Sequence, residues 1–257
     1  MNAARVNVLF EPRLRGCQTK RTATTFLNAT LLGISFLCGC EMKVTREVEA
    51  RVLELHGSSS VSNIARLTTR PLQPDSRWKP GERLRTDEGA TVDLSLLPGG
   101  LMHVEAGSEL FLRSLSITKD GNAVTEAVQR RFRIEVVSGT ILLLVQFQPG
   151  AGDCVVQTPH GLLSIRQSAL CHLEVEEKKL RLITIRGALD FTPSGSANFT
   201  RLEAGYFEEW PAPGSGARAS ELDSRAQEII EKSLGVERKL LILQARRRLT
   251  PFQWRQL

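Results

Sequence analysis

Arg131-Phe132-Arg133-Ile134-Glu135-Val136 alternates charged and apolar side chains without a break. Period-two alternation sends successive side chains to opposite faces of a β-strand. It therefore predicts Phe132 and Ile134 in a core and Arg131, Arg133 and Glu135 in water. The same pattern recurs upstream, where Val92, Leu94 and Leu96 alternate with Thr91, Asp93 and Ser95 before the turn Pro98-Gly99-Gly100. It recurs downstream, where Cys171, Leu173 and Val175 alternate with His172, Glu174 and Glu176. Ile141 to Val145 is continuously apolar, the mark of a strand covered on both faces. About ten such short runs, separated by Gly and Pro between residues 50 and 210, predict an all-β domain. The architecture left open is a sandwich or a short solenoid-like stack.

Beyond Trp210 the pattern changes. Pro211-Ala212-Pro213-Gly214-Ser215-Gly216 opens a linker over 211–219. A helical tail is expected over 220–250, with Ser220 as N-cap and Asp223 completing an acidic variant of the capping box. Leu222, Ala226, Ile229, Ile230 and Leu234 form one apolar stripe. Gly235 is expected to interrupt it before Leu240, Leu241 and Leu243 resume, and Arg246-Arg247-Arg248 then favour the C-terminal helix dipole. Such a helix suits packing on the β-domain, self-association, or docking to another protein.

At the other end, Arg13, Arg15, Lys20 and Arg21 precede an uncharged stretch from Thr22 to Gly39. A cationic segment, a short apolar one and then small residues form the layout of an export signal. A spanning helix needs about 20 predominantly apolar residues. This run is shorter and carries Thr24, Thr25, Asn28 and Thr30, which makes permanent spanning the weaker reading. Its end, Leu37-Cys38-Gly39-Cys40, resembles the lipobox of bacterial lipoproteins, with Cys38 in place of the usual small residue. That resemblance implies a signal peptide over 1–39, lipid on the Cys40 thiol, and a polar tether over 40–49. Several acyl chains, at ~0.8 kcal/mol per buried methylene, give stable membrane anchoring. Glu41 is not the Asp that retains enterobacterial lipoproteins in the inner membrane, so a periplasm-facing, outer-membrane placement is favoured.

Composition narrows the function. The chain has 257 residues and a net charge of +6, of which the leader holds +4 and the remainder only +2. Aromatics are 5%, with a single Tyr. Neither value suits a nucleic-acid partner or an aromatic stacking platform. No Gly-x-Ser-x-Gly elbow and no phosphate-binding loop occurs, and scattered strand carboxylates read as a wet face, so no enzyme activity is expected. Cys154, Cys171, His160 and His172 lack the paired spacing of a metal site, and no metal or other cofactor is expected. Two readings stand for Cys154 and Cys171: a disulfide, permitted by an envelope compartment and stabilising by roughly 3 kcal/mol, or two separate small buried residues.

Several segments, in order, resemble the FecR domain of bacterial envelope proteins. Ala50-Arg51-Val52-Leu53-Glu54-Leu55-His56-Gly57 is similar to its opening strand and turn, and Gly81-Glu82-Arg83-Leu84-Arg85-Thr86 to its G-x-x-L-R-T approach. Gly89 to Leu94 with Pro98-Gly99-Gly100, and Glu105 to Leu110, are similar to the next strand, Gly turn and step. Thr158-Pro159-His160-Gly161, running into Leu163-Ser164-Ile165-Arg166, resembles its T-P-x-G pair. Gln167-Ser168 stands where that family has Gly-Thr. Ile185 to Leu189 and Leu202 to Gly205 resemble the closing turns. The resemblance covers about 50–210 and implies an envelope binding or sensing domain with an envelope protein as partner. The best-known FecR proteins relay iron-siderophore signals through a cytoplasmic anti-sigma segment. Here only about twenty residues precede the apolar stretch, so the domain and compartment are carried over and the anti-sigma activity is not. A structural or assembly protein, forming homo-oligomers through the 220–250 helix, is the alternative.

Overall fold

The computed structural model describes residues 43–248, apart from 64, 98, 121–126, 149, 211–216 and 219–223. The segment 1–39 expected as a signal peptide, Cys40, the start of the expected linker, the expected cap Ser220 with Asp223, and Leu222 lie outside the described residues. Within them the alternating runs are strands, eighteen rather than about ten, because Gly turns divide the chain more finely than hydrophobic runs reveal. They are β1 (Lys43–Glu47), β2 (Ala50–His56), β3 (Ser59–Asn63), β4 (Thr68–Pro71), β5 (Arg77–Trp78) and β6 (Glu82–Thr86). Next come β7 (Thr91–Leu97), β8 (Gly100–Val104), β9 (Glu109–Asp120), β10 (Ala127–Val145), β11 (Gly152–Thr158) and β12 (Gly161–Ile165). The last are β13 (Ala169–Val175), β14 (Leu180–Arg186), β15 (Ala188–Pro193), β16 (Thr200–Glu203), β17 (Tyr206–Trp210) and β18 (Ala217–Arg218), followed by helix α1 (Ser224–Arg248).

The strands form two sheets. Sheet A runs β4-β3-β6-β9-β10-β11-β12-β15-β16, with β1 also on β9. Sheet B runs β5-β2-β7-β8-β10-β13-β14-β17-β18. Strand β10 belongs to both and joins them into one flattened barrel. Its first part lies between β9 and β11, the latter parallel to it, and its last part between β8 and β13. Strand β11 then lies in sheet A beside the start of β10. That single coil is the solenoid element within a sandwich.

The change of sheet occurs at Gly139, whose φ of +101° is left-handed. A Cβ there would lie 2.2 Å from Ser108 Oγ and 2.4 Å from Ser108 Cα. Ser108 sits at that corner for a reason. Its backbone N–H donates to Thr86 Oγ1 at 2.8 Å, and its hydroxyl accepts from the Thr140 N–H at 3.0 Å, tying three segments together.

The alternation holds in detail. Phe132 and Ile134 are buried between the sheets, while Arg131 and Arg133 are exposed and Glu135 is half-exposed on the outer face of sheet A. Trp78 is fully buried and its indole donates to the Glu82 carbonyl at 3.0 Å. Phe132 and Phe147 stack tilted at 5.2 Å. The segment 43–47, expected within a polar tether, is instead strand β1, paired with β9 from Lys43↔Asp120 to Glu47↔Ser116. Strand β18 likewise falls inside the stretch expected as linker.

Some inward positions are polar. Glu208 on β17 lies opposite the core residue Leu182, and its Oε2 has no hydrogen-bond partner among the described residues. Burial pushes its carboxyl above the ordinary glutamate value. A raised carboxyl pKa means the unfolded chain releases its proton first, so stability falls as pH rises from the unfolded value through the folded one. Glu208→Met is expected to gain about 1 kcal/mol at pH 7.5 and little at pH 4, checked by denaturant melts at both pH values.

Candidate functional site

Helix α1 forms a third layer on the outer face of sheet B. Ala226, Ile229, Ile230, Leu234 and Leu240 share one side of a 3.6-residue helix, as the stripe requires. They meet Leu53, Leu101, Leu142, Leu144, Leu170, Ile183, Ile185 and Phe207. This explains Ile141–Val145, where odd positions fill the core between the sheets and even ones lie under the helix. Gly235 does not interrupt α1; it lies on the exposed side, with open space around its Cα.

The polar contacts of α1 have a period of their own. Arg225, Lys232 and Lys239 stand seven residues apart, two turns each, and so project on one side. Each meets a carboxylate on or beside a different strand. Arg225 lies 3.7 Å from Glu174 on β13, and Lys232 lies 2.8 Å from Glu105, just after β8. Lys239 bridges two acids, Asp93 Oδ2 on β7 at 2.7 Å and Glu54 Oε2 on β2 at 2.6 Å. The helix thus runs across the strands of sheet B. In the opposite polarity, buried Glu237 accepts from Arg186 on β14 at 2.5 Å.

Asp93 is the centre of this cluster, with its side chain only 1% exposed. Its other oxygen, Oδ1, lies 2.5 Å from His103 Nδ1. Burial by itself pushes the Asp93 carboxyl up, but the hydrogen bonds from His103 and Lys239, then their charges, outweigh it and hold the carboxyl below the ordinary aspartate value. Burial likewise acts to lower Lys239, and the bonds to Asp93 and Glu54 reverse that, holding it above the ordinary lysine value. Glu54 is held down by the Lys239 hydrogen bond against burial. A buried carboxylate with both oxygens engaged by hydrogen-bond donors is satisfied rather than reactive. The cluster fastens a helix.

Histidines accompany these acids. His103 holds Asp93, His56 Nε2 lies 3.3 Å from Glu54 Oε2, and His172 is buried under α1 with its Nδ1 unpartnered among the described residues. Burial pushes His172 below the ordinary histidine value, opposed by the charges of Glu105 and Glu174 and aided by Lys232 and His103. The fourth histidine, His160, stands apart in the turn before β12, with its Nε2 2.8 Å from the Glu176 carbonyl.

Of the residues singled out in the sequence, Cys40 lies outside the described residues. Cys154 lies on β11 of sheet A and Cys171 on β13 of sheet B; both are fully buried free thiols. Burial pushes Cys171 up to about 12 and Cys154 well above the ordinary thiol value, the latter also through the charges of Cys171 and Asp153. Such thiols are inert as nucleophiles. Among the described residues no group of three or more His, Cys, Asp or Glu is placed to hold a metal, and no helix is long and apolar enough to cross a membrane. Composition and alternation did not bring Asp93, His103 and Lys239 together. The basic residue at every seventh position, 225, 232 and 239, is the signal that points to this helix face.

No protein-family model matches the chain, and no curated protein does. Among solved structures, a candidate anti-sigma factor from Parabacteroides distasonis ATCC 8503 is similar in its 1.65 Å crystal structure, with 14% identity and a TM-score of 0.36 over 49% of this chain and 53% of that one. The 2.50 Å crystal structure of a candidate anti-sigma factor from the same organism has 11% identity and a TM-score of 0.37 over the same shares. The chain therefore spans about half the length of those it is similar to.

Proposed function

We propose that this chain is a non-catalytic, lipid-anchored protein of the cell envelope whose FecR-like β-domain is a binding and sensing module for another envelope component. The observation that carries the reading is the run Leu37-Cys38-Gly39-Cys40 lying three residues ahead of Lys43, where β1 begins. At about 3.5 Å per extended residue, three residues hold the sandwich within roughly 10 Å of an acylated Cys40. The partner then meets the module at the membrane surface. The outer face of sheet A is open for that contact, with Arg131 and Arg133 exposed on it. The self-assembly alternative is the weaker one, because the apolar side of α1 is already buried on sheet B.

A photo-crosslinking amino acid at Arg133, on the exposed face and away from α1, tests the reading in living cells. Adducts to a distinct envelope protein are expected. Adducts only to further copies of this chain would overturn the module reading in favour of assembly.

A further inference from the structure

Three of the chain's four histidines lie on the outer face of sheet B, where α1 docks. Two of them share a carboxylate with a helix cation. On β7 and β8, Asp93 is shared by His103 and Lys239. On β2, Glu54 Oε2 is shared by His56 and Lys239. Glu105, just after β8, and Glu174 on β13 hold Lys232 and Arg225, and both act on the charge of the third, His172. We propose that α1 is a proton-sensitive latch worked by His172, whose buried ring lies under the helix with its Nδ1 unpartnered among the described residues: acid favours the form in which α1 has lifted from sheet B and that ring meets water.

Histidine is the side chain that changes charge in this pH range. The other charged pairs at the interface are Arg181 on β14, which bridges Glu174 and Glu209 of β17, and Arg186 on β14, which holds Glu237 of α1. His172 carries the coupling. Docked, it is held below its ordinary value, chiefly by burial. Undocked, it regains ordinary proton affinity, so protons bind the released form more tightly and acid drives release, whereas above pH 7 the effect vanishes. Release uncovers Leu101, Leu142, Leu144 and Leu170, an apolar strip across the sheet.

Hydrogen exchange on the full-length chain, with rates corrected for intrinsic pH dependence, tests the latch. At pH 5.5 the amides of α1 are expected to exchange severalfold faster than at pH 7.5, while those of β10 and β13 hold their protection. The variant H172Q is expected to lose this response. Should that variant fold poorly, H172N carries the same test. Unchanged α1 protection at pH 5.5 in the native chain, or a full response in variants that fold, would overturn the latch.

Discussion

Gly139→Ala is expected to lower the unfolding free energy of the β-domain by about 4 kcal/mol. Two costs add. The residue is held at φ +101°, which L side chains rarely adopt. The new methyl would also meet Ser108 at 2.2 Å, and Ser108 Cα, at 2.4 Å, is backbone that cannot swing aside. Moving Ser108 would in turn break its bonds to Thr86 and Thr140. Denaturant melts of the two proteins check this. The control is Gly81→Ala, also at positive φ but with open space around it, which should cost only about 1 kcal/mol of backbone strain. Similar losses at both positions would mean that the crossing of β10 between the sheets is not tightly packed.

Lys239→Met is expected to cost about 2 kcal/mol and to concentrate that loss in α1. Removing one partner of a buried ion pair costs roughly 3–5 kcal/mol when the remaining charge is left alone. Here the figure is smaller, because Lys239 is 39% exposed and His103 still binds Asp93. The methionine keeps the aliphatic contact with the sheet, so the loss reports charge rather than packing. A double variant, D93N/K239M, separates the two. If the Asp93–Lys239 bridge fastens the helix, the double variant loses clearly less than the sum of the single variants; additive losses would show that the two residues act independently.

The sandwich was largely legible in the chain because burial on one face of a strand leaves a period-two record. Phe132, Ile134, Leu94, Leu173 and Val175 lie where alternation puts them. Ile141–Val145 even registered the third layer, since only a strand covered on both sides is apolar throughout. Strand number was less legible: the two runs around Gly139 read as separate strands, yet β10 passes through both as one 19-residue strand. The alternation went wrong at Asp93 and His172, polar residues expected in water and found buried. Both do face away from the core between the sheets. What covers them is a helix more than fifty residues later in sequence, and a local pattern carries no information about that distant partner. Lys239 shows the same gap from the other side: on a tail read alone, it is one cation among several on a solvated face.

The claim on which the functional reading rests is that the chain works outside the cytoplasm, held by lipid on Cys40. Metabolic labelling with a clickable fatty acid, followed by mass spectrometry of the chain from the cells that encode it, measures this directly. The expected result is a membrane-fraction protein whose first residue is an acylated Cys40, with label and membrane association lost in Cys40→Ser. An unlabelled chain from a soluble interior fraction, still carrying residues ahead of Cys40, would contradict it.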